Sequence, residues 1–115
     1  MKVDYDSEGR SLLFEFEEFR EAEDGDYVEE LAGGICIVWI HEDRPESIQL
    51  LSADRDIEPL DEAAERFDLD REGLRSAARA ALAAPDREIT IEFGQKRLVG
   101  NEAHAVGPRI TPRSV

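Results

Sequence analysis

Apolar and polar positions alternate with a period of two through much of the first half of the chain. In residues 11–19, Leu12, Phe14 and Phe16 fall on one face and Glu15 and Glu17 on the other, which predicts a strand with one buried face. Residues 1–5 precede it as a strand, across a turn at 6–10 whose Gly9 suits a positive φ. Residues 20–26 predict a second turn, with Asp24-Gly25 as a favoured hairpin pair. A shorter strand follows at 27–32. After Gly33-Gly34 the run 35–41 is apolar on both faces, which predicts a central strand. A turn at 42–46 leads into a fifth strand at 47–53.

The period changes beyond Asp56. Leu60, Ala63, Ala64 and Phe67 fall at i, i+3, i+4 and i+7, one face of a helix, with Pro59 suited to its first turn. Asp70 can cap a second helix over about 71–83, whose apolar side is Leu74, Ala77, Ala78, Ala81 and Leu82; Pro85 lies just past its end. Alternation returns at 87–93, with Ile89, Ile91 and Phe93 facing inward. Residues 95–100 are expected to pair back on it as a hairpin. The pattern predicts one α+β domain over 1–115: a mainly antiparallel sheet of about six or seven strands with two helices packed on one face. Its parts are a strand meander (1–56), a helix pair (57–84), a hairpin (86–99) and an irregular tail (100–115).

Ile35, Ile37 and Trp39 project from one face, and Cys36, Val38 and Ile40 from the other. Two helices cover one face only. The other is left for the tail, a loop or another subunit, because a bare patch of that size is more than monomers usually expose. A homodimer is therefore expected.

Charge narrows the choice. The chain has 115 residues, 41% of them hydrophobic, and a formal net charge of -14 from 28 acidic and 14 basic residues. Residues 1–95 carry 10 basic against 27 acidic side chains, a net of -17. The last twenty residues carry Lys96, Arg97, Arg109 and Arg113 against Glu102, a net of +3. Such a surface repels nucleic acid and anionic membrane, and favours a basic protein partner. There is no apolar run near the roughly 20 residues needed to span a bilayer, and no signal-like segment, so a cytoplasmic location is expected.

Two stretches carry resemblances. Residues 62–79, "EAAERFDLDREGLRSAAR", resemble the helix-turn-helix of small bacterial DNA-binding modules. Ala63, Ala64, Phe67, Leu69, Leu74 and Ala77 stand where that motif wants small or apolar residues, and Asp68 stands where it usually has Gly. The resemblance implies that Arg71, Arg75 and Arg79, about 40° apart on the second helix, contact phosphate or guanine. Arg87, Lys96 and Arg97 would sit on an adjoining wing. The plain alternative is that these arginines line the wet side of a core helix and pair with acids.

The first half, "YDSEGRSLLFEF", "VEEL" and "GGICIVWIHEDRPESIQLLSADRDI", resembles the short prokaryotic proteins grouped as domain-of-unknown-function family 2283. Tyr5, Asp6, Leu13, Phe14, Ile48 and Leu51 stand at comparable places. The resemblance implies a small antiparallel sheet, no established activity, and an antitoxin-like binding role.

Catalytic chemistry finds little footing. Cys36 is the only cysteine and lies in an apolar run, where a thiol behaves as a small hydrophobe. His41 and His104 lack a second ligand at metal-site spacing. Cys36 and His41, five apart on a strand, fall on opposite faces and cannot act as nucleophile and base. Ser52 and Ser76 lack an elbow motif, and "GGICIV" opens a strand and not a helix, so it is no phosphate loop. No cofactor or metal is expected. The reading is a non-enzymatic binding or regulatory protein acting through a surface. The alternatives are a DNA-binding regulator using Arg71, Arg75 and Arg79, and an enzyme with a carboxylate pair in a cleft.

Overall fold

The period-two segments form strands where they are described, and both period-3.6 segments form helices, in a computed structural model that describes residues 1–16, 21–91 and the backbone of 109–112. The strands are β1 (Lys2–Asp6), β2 (Ser11–Glu15), β3 (Tyr27–Leu31), β4 (Cys36–His41), β5 (Arg44–Leu51), β6 (Arg87–Thr90) and β7 (Arg109–Pro112). The helices are α1 (Pro59–Phe67) and α2 (Arg71–Ala83). The strands make one sheet in the order β3-β4-β5-β2-β1-β6-β7. Every pairing is antiparallel.

Register sets the core. Val3, Phe14, Ile48 and Val38 stand in one row across β1, β2, β5 and β4, and Tyr5, Leu12, Leu50 and Cys36 in another. All eight are buried, as are Ile40 and Ile89. Both helices lie on this face. α1 packs over β4 and β5, and α2 over β1 and β6. α1 buries Leu60, Ala63 and Ala64; α2 buries Leu74, Ala77, Ala78 and Ala81. The alanines let the helix axes come close to the sheet, and the core among the described residues holds no buried polar or charged side chain.

Pro59 opens α1, as its fixed φ suits the first turn. Asp68 ends it in the left-handed region (φ 55, ψ 48), the conformation a glycine would otherwise supply. Asp70 holds the N-cap position of α2 with extended backbone but makes no side-chain cap hydrogen bond.

Four expectations need correction. The meander breaks between β2 and β3. Asp24-Gly25 does form a turn, with Gly25 at φ 95 and the Asp26 N–H donating to the Glu23 carbonyl at 3.1 Å. The link from β2 to β3 is too long for a tight hairpin, however, and β2 pairs with β5 and β1 instead. Second, the run 35–41 does form an interior strand, paired on both sides with β3 and β5, but only one of its apolar faces is covered: Trp39 is exposed on the other. Third, the turn after it is only Glu42-Asp43. Both residues have positive φ (51 and 61), the two-residue hairpin geometry, so Arg44 and Pro45 already belong to β5. Fourth, the tail is not wholly irregular: Arg109–Pro112 pairs with β6. Pro112 counts against a strand interior but is tolerated on an edge. The expected return of 95–100 onto β6, and the inward position of Phe93, lie outside the described residues.

Candidate interaction surface

Among the described residues, no helix lies on the sheet's second face. Strand alternation places Val28, Glu30, Ile37, Trp39, Ser47, Gln49, Leu13 and Glu15 there. The exposed large hydrophobics among the described residues are Tyr27 (48% exposed), Val28 (48%), Ile35 (43%) and Trp39 (38%). All four sit on β3, on β4, or on the link between them. Val28 stands directly opposite Trp39.

A groove of about 820 Å³ runs over this face. Its origin is a size pattern. Along one cross-sheet row β4 presents Trp39, β5 the small Ser47 and β2 Glu15. The middle strand is thus a floor between taller side chains. Ala22 and Asp26, from the segment leading into β3, line the groove as well. Asp26 is anchored there: its Oδ1 lies 2.7 Å from His41 Nδ1, and its Oδ2 accepts the Glu23 N–H at 2.8 Å. The Nε2 of His41 lies 3.7 Å from Glu42 Oε1.

The surface is acidic. Burial raises the pKa of Glu15, and the nearby carboxylates Asp4 and Glu88 raise it further, against the opposing pull of Lys2. On β3, Glu29 pairs with Arg66 of α1. Glu30 is exposed beside it.

The sequence-predicted residues fall as follows. Arg71 and Arg79 are exposed on the outer side of α2. Arg75 is half-buried and leans onto α1, where its Nε donates to Asp61 Oδ1 at 2.8 Å and its Nη2 also reaches Asp61. That contact holds the Asp61 carboxyl below its ordinary pKa, with Arg71 adding to the effect. So the three arginines share one helix side, but Arg75 is engaged within the fold.

Cys36 is fully buried under α1. Burial pushes its thiol up to about 11, and Glu62 adds to the shift, so it stays protonated and unreactive. It shares no site with His41. Ser52 and Ser76 are exposed. His104, Lys96 and Arg97 lie outside the described residues. Among the described residues no cluster of three or more His, Cys, Asp or Glu side chains is arranged to hold a metal ion. No helix among them is long and apolar enough to cross a membrane.

Sequence reasoning singled out Ile35, Ile37 and Trp39 but not Tyr27 and Val28. The signal for those two was present: a strand that places a bulky Tyr-Val pair beside two glutamates has no fully apolar side to bury. Comparison with protein-family models, with curated proteins and with solved structures gives no match to this chain.

Proposed function

We propose that this is a non-enzymatic binding or regulatory protein that engages another polypeptide through the β3–β4 end of its sheet, an antitoxin-like role in kind. One observation carries the reading: all the exposed large hydrophobics among the described residues lie at that end, and three of them, Tyr27, Val28 and Trp39, line one open groove. Scattered single hydrophobics on a surface need no explanation, whereas a contiguous set marks an interaction site. The net charge of -14 favours a basic partner over nucleic acid or an anionic membrane.

A DNA-binding reading has in its favour the exposed Arg71 and Arg79. It has against it the engagement of Arg75 by Asp61 and the acidity of the whole chain. Paired variants separate the two. Affinity isolation from the producing cells is done with Val28→Glu/Trp39→Ser and with Arg71→Glu/Arg79→Glu. The proposed function requires a co-purifying polypeptide that the first variant loses and the second keeps. Loss by the arginine variant alone, or a salt-sensitive shift of duplex DNA that only this variant abolishes, overturns it.

A further inference from the structure

We infer that β3 accepts an extended basic segment of another protein as an added strand. The inference rests on the proposed function and specifies how the partner binds. β3 is the terminal strand of the sheet, and among the described residues it pairs with β4 alone. Its outer N–H and C=O groups therefore form a ready template for strand addition. Five residues give a template about 17 Å long.

The side chains define the occupant. On the open side, Val28 and the neighbouring Trp39 form an apolar shelf next to the groove, so a partner residue placed beside them is apolar. Glu30 follows on the same side, and Glu29 on the helix side. Glu29 is already engaged by Arg66, so it is the side chain directly opposite Glu30 that gains from positive charge. An arginine or lysine also has an aliphatic stem that covers apolar surface while its head stays in water.

A second copy of this chain fits poorly. Antiparallel pairing of β3 with itself over its full length sets the apolar Val28 against Glu30 twice, so neither the shelf nor the carboxylate finds a matching side chain. Each copy also brings a charge of -14. The acidic edge thus discourages self-pairing while leaving a basic strand welcome.

The test uses the intact chain and three short synthetic peptides: one alternating arginine with valine, one alternating glutamate with valine, and the arginine peptide with alternate amides N-methylated. Trp39 is the sole tryptophan, so its emission reports the shelf directly. Amide hydrogen exchange reports β3. The arginine peptide should shift the emission and slow exchange in Tyr27–Leu31. N-methylation should weaken it about tenfold or more by removing strand hydrogen bonds, and Glu30→Lys about fivefold.

The inference is overturned if the glutamate peptide binds as well, if the methylated peptide matches its parent, or if the arginine peptide does not bind. It is also overturned if Trp39 emission and β3 protection depend only on protein concentration. That last result marks self-association through the same surface, and leaves the surface reading standing. A failure of the proposed function itself shows in the paired variants above and not in the peptides.

Discussion

Val28 and Trp39 face each other across β3 and β4 on the open side of the sheet, and both are exposed. Val38, one residue from Trp39, faces the helices and is fully buried. The same strand therefore carries an exposed surface on one side and a core on the other. Substitution should separate them. Val28→Thr is expected to change unfolding stability by no more than about 0.5 kcal/mol. Leu74→Ala, which opens a cavity between α2 and the sheet, is expected to cost about 2–5 kcal/mol. Urea unfolding of both variants checks the contrast.

The Asp61–Arg75 contact ties α1 to α2 and gives a pH signature. Asp61 has a folded pKa below its ordinary value of 3.8, chiefly because Arg75 hydrogen-bonds to it. Its stabilising contribution is complete above that ordinary value and is lost as pH falls through the lowered one. Asp61→Asn should therefore be less stable than the parent at neutral pH, with the difference vanishing in acid. Urea midpoints measured from neutral pH down to below 3.8 test this.

Glu15 behaves in the opposite sense. Its folded pKa lies above the ordinary 4.5, owing to burial first and then to Asp4 and Glu88. The ionised form thus weakens the fold at neutral pH, and protonation relieves it as pH falls through the raised value. Glu15→Gln should stabilise the protein at neutral pH by less than about 1 kcal/mol, and the gain should close as pH approaches 4.5. Thermal or urea unfolding across that range gives the answer.

His41 and Asp26 hold the segment before β3 against the turn that joins β4 to β5. His41→Phe keeps an aromatic ring but removes the hydrogen bond. It should cost about 1 kcal/mol and speed amide exchange at residues 21–26 more than in β1 or β2. Uniform acceleration across the sheet would show that the contact supports the whole fold and not this segment.

Much of this architecture is legible in the residues. Alternation at Leu12, Phe14 and Ile89 assigns the buried side of β2 and β6 correctly, because a strand's faces are fixed by a period of two. The helix pair is legible for the same reason at a period near 3.6, with Leu74 buried as its spacing requires. Strand order is not, since periodicity says which way a side chain points and nothing about which strand lies alongside. Hence Asp24-Gly25 suggests a hairpin that β2 and β3 do not make.

The surface is half legible. An apolar run such as Cys36–His41 is compatible with cover on both faces, and only the supply of covering elements decides. Two helices can lie over Val38 while leaving Trp39 at the open groove. The exposure of Tyr27 and Val28 follows from the glutamates that share their strand, which the sequence displays, and from the terminal position of β3, which it does not.

The central claim is that the β3–β4 end of the sheet meets a partner polypeptide. Its most direct test is a photoreactive side chain installed at position 28 and, separately, at position 79, each irradiated in the producing cells. A discrete polypeptide adduct from position 28 and none from position 79 is the predicted result. A polypeptide or nucleic-acid adduct from position 79, with position 28 silent, would contradict it.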